Sequence, residues 1–178
     1  MTVSVRPATP ADAGALAALA AVTFPLACPP HVTAQAKAAF IAAELSEGRF
    51  AEYLADRDRR LLVAVDAEGH AVGYTMLKLG EAGDEDVRAA LRSHPAVELS
   101  KCYVLPDHHG AGVAGRLMAE SLRVAAETGA AAMWLGVHEQ NVRAQRFYAR
   151  QGFERVGVKH AMVDEAGGDD WVMERQLG

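Results

Sequence analysis

A strand that stops on a proline and resumes as a helix through three glycines is the feature that most narrows what this chain can fold into. Glu98-Leu-Ser-Lys-Cys-Tyr-Val-Leu105 carries Leu99, Tyr103, Val104 and Leu105 in an apolar, β-favouring run. Pro106 and Asp107 end it, because proline has no N–H to give a ladder. From Val113 onward, Val113, Leu117, Met118, Leu122 and Ala125 recur at helical spacing, and Arg116, Glu120, Arg123 and Glu127 alternate in sign on the opposite face. Between strand and helix lie Gly110, Gly112 and Gly115, with the small Ala111 and Ala114. A loop so poor in side chains lets a ligand approach bare backbone N–H groups at a helix start, where the dipole favours negative charge. The ligand it suits is a phosphate or pyrophosphate.

Gly110 to Gly115 spells Gly-x-Gly-x-x-Gly, and Glu139 stands about where a ribose-binding acid of a dinucleotide site would be sought. The surroundings exclude that reading. Pro106-Asp-His-His109 separates the strand from the first glycine, and fewer than forty residues follow Glu139, too few for the βα units a doubly wound domain still needs. The lysine of an ATP-type phosphate loop is also missing.

His109-Gly-Ala-Gly112-Val-Ala114 resembles motif A of the GNAT superfamily of acetyl-CoA-dependent N-acetyltransferases, in which a strand precedes Gln/Arg-x-x-Gly-x-Gly/Ala. His109 replaces the usual Gln or Arg, which removes one side-chain contact but leaves the backbone amides that do the holding. Downstream, Trp134-Leu-Gly-Val-His-Glu-Gln-Asn141, Ala144-Gln-Arg-Phe-Tyr148 and Gly152-Phe153 match the family's Asn-x-x-Ala-x-x-Phe-Tyr-x-x-x-Gly-Phe pattern. The resemblance covers nearly the whole chain. It implies one domain over residues 1–178 with an α/β (α+β) GNAT fold. That fold has a central mixed, mostly antiparallel sheet of about seven strands, splayed between the fourth and fifth for acetyl-CoA and flanked by about four helices.

The same resemblance implies the site. The loop of His109, Gly110, Ala111, Gly112, Val113, Ala114 and Gly115 would hold the coenzyme A pyrophosphate, and Cys102, Tyr103 and Val104 would pair with the pantetheine arm as an added strand does. Asn141 reads as a helix cap and, by resemblance, as a polar contact to that arm. Arg116, Arg143, Arg146 and Arg150 are within the reach expected for coenzyme A phosphates, or form a solvated basic face. Tyr148 would donate a proton to the departing thiolate, which is permitted because a thiol and a phenol have comparable pKa values, about 8.5 and 10. A primary ammonium is only about one part in a thousand neutral at pH 7, so a base is useful. Glu98 holds the position of a base in several relatives; its other reading is a solvated carboxylate at a strand edge.

Composition sets the remaining bounds. At 178 residues, 51% hydrophobic and 23% charged, the chain is of ordinary globular make-up, large enough for a proper core. No run of about eighteen apolar residues marks a membrane span, and the N-terminus lacks a secretory pattern. Cys28 and Cys102 form no disulfide framework, which fits a cytoplasmic location. The net charge of −5 argues against nucleic acid and suits a cationic partner. His31, His94, His108, His109, His138 and His160 show no ligand spacing, so no metal is expected.

Along the chain, a short strand at Thr2–Arg6 precedes Thr9-Pro-Ala-Asp12, a capping sequence for a helix that buries Leu16, Leu19, Ala20 and Phe24. Pro25, Pro29 and Pro30 are expected to break it. A second helix through Ala36, Phe40 and Ile41 is expected to end at Gly48, with one more turn at Phe50–Leu54. Leu61–Val65 and Ala71–Leu79 read as strands joined by a hairpin turn, followed by a short helix at Asp86–Leu91. Ala131–Val137 reads as a buried strand. Asn141 caps a helix ending at Gly152, and strands at Phe153–Val163 and Trp171–Arg175 flank an acidic loop at Asp164–Asp170.

Thr23-Phe24, Glu52-Tyr-Leu-Ala-Asp56, Trp134–Asn141 and the acidic closing segment further resemble the PaiA-like polyamine (spermidine/spermine) N-acetyltransferases. A flexible polycation would be held by carboxylates, for which Glu81, Asp84, Glu85, Asp86 and the Asp164–Asp170 loop are candidates, unless they are solvated turns. Other readings on the same fold are a protein N-terminal or lysine acetyltransferase and an antibiotic or amino-acid acetyltransferase. A non-catalytic coenzyme A-binding sensor is a different class. Homodimers are frequent in the family.

Overall fold

The computed structural model describes residues 2–160 and 169–178. Its elements run β1 (Ser4–Pro7), α1 (Ala13–Ala27), α2 (Ala34–Glu44), α3 (Glu47–Ala55), β2 (Arg59–Val65), β3 (Ala71–Lys78), α4 (Glu85–Ala90), β4 (Ala96–Val104), α5 (Val113–Glu127), β5 (Ala132–His138), α6 (Val142–Arg150), β6 (Glu154–His160) and β7 (Asp169–Gln176). The strands form one seven-stranded sheet in the order β1-β2-β3-β4-β5-β7-β6. β4 and β5 are parallel, whereas β1/β2, β5/β7 and β6/β7 are antiparallel. This is the mixed α/β fold expected. Among the described residues it has six α-helices rather than about four; the extra two, α3 and α4, are short, with 9 and 6 residues.

Two compact units divide the chain: Met1–Leu77 with Lys101–Ser121, and Lys78–Ser100 with Leu122–Gly178. In the first, α1 buries Leu16, Leu19, Ala20 and Phe24 against Phe50, Tyr53, Tyr74 and Met76. Phe50 is fully buried, and its loss would cost about 3–5 kcal/mol. Phe24 stacks on Phe40 of α2 at 4.6 Å between ring centroids. Pro25 does not break α1, which runs on to Ala27. The N–H that proline lacks would serve the carbonyl of Ala21 on the exposed face, which is open to solvent, so the loss near a helix end is small. With its leading 3-10 turn, α1 makes an 18-residue alanine-rich helix, Pro10–Ala27, long and apolar enough by length and composition to cross a membrane. It is not an unbroken apolar run, since it carries Pro10, Asp12, Gly14, Thr23 and Pro25, and its apolar side is spent on the core just described.

Gly48 does not end α2 either. The helix stops at Glu44, and Ser46 Oγ accepts the N–H of Arg49 at 3.1 Å to start α3, placing Gly48 inside its first turn. The β2–β3 hairpin is closed by Asp66, whose N–H donates to the His70 carbonyl at 2.9 Å and whose carboxylate accepts from Glu68 and His70 amides. Ahead of α1, the Asp12 carboxylate accepts two bonds from Arg6, at 2.8 and 3.0 Å, and the Thr9 N–H at 2.7 Å. The Arg6 guanidinium holds the Asp12 carboxyl down at about 2.

In the second unit, β7 lies between β5 and β6, and Trp134, Ala96, Ala132 and Val172 pack under Val87 and Leu91 at α4. α4 comes so close to β6 that a Cβ on Gly157 would sit 2.6 Å from that of Ala90, so glycine is required at the bulge between Arg155 and Gly157. The buried carboxylate of Glu174 accepts the N–H of Arg92, at 3.0 and 3.1 Å, and that of Ser93 at 3.1 Å, which fixes the chain entering β4. Asp169 and Asp170, expected in a loop, instead open β7. The Asp169 carbonyl accepts the Glu139 N–H at 3.0 Å, and Asp170 faces Lys159 across the ladder, where opposite charges are favourable. β6 is seen to His160; the rest of the expected strand, Ala161–Val163, and the acids Asp164 and Glu165 lie outside the described residues.

Candidate functional site

Within the first unit the pivotal stretch is a shelf with a firm underside and an open top. After β4, Leu105 N–H still reaches the Val72 carbonyl at 2.9 Å, and Pro106–His108 then make a 3-10 turn. Gly110 and Gly112 take φ of +83° and +81°, a left-handed backbone that side-chain-bearing residues avoid. A Cβ built on Gly110, Gly112 or Gly115 would meet no atom within 4 Å, so the space above the loop is free. Gly115 belongs to the first turn of α5, not to the loop as expected; α5 begins at Val113 because Gly112 already occupies the capping position. From below, Val113, Leu117 and Met118 are buried and anchor the helix, and Ser121 and Thr75 share a buried hydroxyl bond of 2.8 Å. Gly73 admits this approach, since a Cβ there would lie 3.0 Å from the Tyr103 carbonyl oxygen and from Leu117 Cδ1.

The N–H groups of Val113, Ala114 and Gly115 thus stand at a helix start with no capping side chain. They suit an anion. His109 does not extend over the loop: its Nε2 bonds the Val104 carbonyl at 2.9 Å and ties the loop back to β4. The Arg116 guanidinium donates to the Val3 carbonyl. Cys102 is half-buried, and Tyr103 lies 5.8 Å from the ring of Tyr74. The Tyr74 hydroxyl is buried with no bonding partner, and burial drives its pKa well above the ordinary phenol value.

In the second unit, the parallel register pairs Ala96, Val97 and Glu98 with Ala132, Met133 and Trp134, then ends, although β4 runs to Val104 and β5 to His138. Glu98 is therefore the last residue of β4 tied to β5. Trp134 in turn pairs with Glu174, and Glu174 with Glu154, so these four side chains form one row on one face of the sheet. That row went unread in the sequence, because only pairing across strands creates it.

Asn141 caps α6, its Oδ1 accepting the Ala144 N–H at 3.2 Å. Gln145 Nε2 donates to the carbonyls of His138 and Glu139, at 3.0 and 2.8 Å, and so fastens α6 to β5. The Tyr148 ring is held edge-on between Phe147 and Phe153, at 5.4 and 5.9 Å. Gly152, at φ +91°, turns the chain so that Phe153 N–H reaches the Tyr148 carbonyl at 3.0 Å. Arg143, Arg146 and Arg150 are exposed. Arg146 borders a cavity of about 340 Å³ that also touches Val142, Ala149, Trp171 and Met173, with Arg155 stacked 3.8 Å above the Trp171 ring.

Of the acids considered for a cation, Asp84 is consumed as the cap of α4, and Arg88 lies 3.7 Å from Glu81 and 3.9 Å from Glu85. Among the described residues, the His and carboxylate group tight enough for a metal is Asp66, Glu68 and His70 in the hairpin turn. Asp66 there is engaged by the turn amides.

Residues 27–153 match the model of the family described as "Acetyltransferase (GNAT) family". An uncharacterized N-acetyltransferase of Mycobacterium tuberculosis is 46% identical over 166 residues, covering 93% of this chain and 98% of the relative. Among solved structures, the PaiA N-acetyltransferase of Thermoplasma acidophilum in complex with coenzyme A superposes with a TM-score of 0.78 at 19% identity, over 99% of each chain. Nourseothricin acetyltransferase does so with 0.66 at 21% identity, over the whole of both chains. At those identities the likeness is one of fold.

Proposed function

Because the chain belongs to the acetyltransferase (GNAT) family, we propose that it transfers the acetyl group of acetyl-CoA to a primary amine by direct attack in a ternary complex. The observation that carries this reading is the open, glycine-lined start of α5, where backbone amides stand ready for a pyrophosphate. The loop from His109 to Gly115 holds that group. Cys102, Tyr103 and Val104 supply backbone partners for the pantetheine arm, with Asn141, Arg116 and Arg143 as polar contacts.

Glu98 takes a proton from the acceptor ammonium, directly or through water, and the neutral amine attacks the thioester carbonyl carbon. The C–N bond forms and the C–S bond breaks. Tyr148 gives its proton to the departing thiolate and regains one from solvent. Tyr148 suits the task because its ring is gripped by two aromatic neighbours, which limits the positions of its hydroxyl.

The acceptor class proposed is a polyamine such as spermidine or spermine, acting in the cytoplasm. One ammonium is acetylated and another is held at a distance by the Asp169–Asp170 end of β7. A panel of amines read by free-thiol release tests the reading. With Asp169→Asn/Asp170→Asn, the KM for spermidine should rise several-fold and its salt dependence flatten, while a monoamine of similar length is unaffected. Turnover of antibiotics, amino acids or protein amines without polyamines would move the acceptor class. Coenzyme A binding with no turnover of any amine would make the protein a sensor.

A further inference from the structure

The chain has only four lysines, Lys37, Lys78, Lys101 and Lys159, and one of them is placed unlike a surface lysine. The Lys159 Nζ lies over the ring of Trp134, 5.7 Å from its centroid. Trp134 is the register partner of Glu98, so the two side chains share one face of the sheet on adjacent strands. The floor beside them is Gly136, above which Lys159 Cε and Asp170 Oδ2 overhang a space that a Cβ would nearly fill, at 3.5 and 3.3 Å. A primary alkylammonium therefore rests on an aromatic face one strand away from the carboxylate assigned as base. Lysine carries a flexible four-carbon stem, so its nitrogen can swing along that face.

We propose that Lys159 is an internal acetyl acceptor, modified by the protein's own acetyl-transfer chemistry when no free amine competes. The inference rests on the acetyltransferase reading above. Glu98 removes a proton from the Lys159 ammonium, and the amine attacks the thioester carbonyl carbon. The C–N bond forms, the C–S bond breaks, and coenzyme A leaves as the thiol with a proton from Tyr148. Acetyl-lysine is neutral, so its formation ends the cation–π contact.

The purified chain should be incubated with acetyl-CoA alone, and the mass gain of acetyl groups mapped residue by residue. Lys159 should be acetylated at least about tenfold faster than Lys101, which adjoins the proposed pantetheine strand, and than Lys37 or Lys78, which report uncatalysed transfer. Glu98→Gln should slow the Lys159 reaction by about tenfold or more and leave the slow background unchanged. Lys159→Arg keeps a cation over Trp134 and should lose the fast acetylation while remaining folded. Equal labelling of all four lysines, faster labelling elsewhere, or no labelling of Lys159 by protein that acetylates added amines would each overturn the inference and leave the enzyme reading standing. No transfer to any amine, internal or added, would overturn both.

Discussion

The starts of α5 and α6 are built from opposite materials. α6 opens on Asn141, whose side chain accepts the Ala144 N–H, and Gln145 adds two more bonds to the preceding carbonyls. α2, α3 and α4 open the same way on Thr33, Ser46 and Asp84. α5 opens on Gly112, which has no side chain to offer, stands at positive φ like Gly110 and lies beneath empty space. A helix start normally satisfies its own donors. This one does not, while its underside is packed by Val113, Leu117 and Met118, which leaves its first donors without an acceptor from its own cap. The lesson is that a cap lacking its side chain, on a well-packed helix, is the place to test for an anion.

Filling the empty cap should have the largest effect. Gly112→Asp places a side chain and a negative charge where the anion would bind, and forces aspartate into a left-handed backbone. The rise in melting temperature given by acetyl-CoA, equivalent to about 2.7 kcal/mol at a hundredfold excess over Kd, should vanish, and turnover should fall below detection. A retained shift would mean that the α5 start is not the anion site.

Next in size is a change that leaves both caps intact. Tyr148→Phe keeps the ring between Phe147 and Phe153 and removes only the hydroxyl, so kcat should fall about 10²-fold with the acetyl-CoA thermal shift unchanged. Unaltered kcat would reduce Tyr148 to packing.

Emptying the full cap sharpens the contrast. Asn141→Ala should cost about 1 kcal/mol of stability in denaturant unfolding and raise the KM for acetyl-CoA several-fold. Asn141→Asp restores the cap, so recovery of stability without recovery of KM would separate the two roles of this side chain.

The smallest effect concerns the residue ahead of α1, Asp12, whose side chain makes no cap bond to the helix amides. Asp12 is bound by Arg6 and Thr9, and its carboxyl sits at about 2, below the ordinary 3.8. A depressed carboxylate stabilises the fold above the ordinary value and loses that contribution as pH falls through the folded one. Between pH 4 and 2, the native chain should lose about 1 kcal/mol more than Asp12→Asn, the figure being kept low because Arg6 is 45% exposed.

What the sequence disclosed follows how local each signal is. The stop at Pro106, the helix from Val113, the Asn141 cap and the Gly152 turn are written within a few residues of where they act, and the structure has them there. Pro25 and Gly48 misled because a breaker's effect depends on what lies around it. A proline near the exposed end of a helix loses little, and a glycine after Ser46 falls inside the next helix. The Glu98–Trp134–Glu174–Glu154 row and the Lys159 contact were out of reach, since strands far apart in the chain must pair in one register before those side chains share a face.

The seat of α4 on β6 carries a consequence for how such chains diverge. A side chain at Gly157 would have to occupy the place of the Ala90 methyl, yet the two residues lie in different elements with much of the chain between them. Their sizes are therefore a shared quantity. Across homologues a bulkier residue at either position should occur only where α4 has shifted or shortened. A library randomised at both positions should recover small–small pairs almost exclusively, a covariation that comes from space and owes nothing to catalysis.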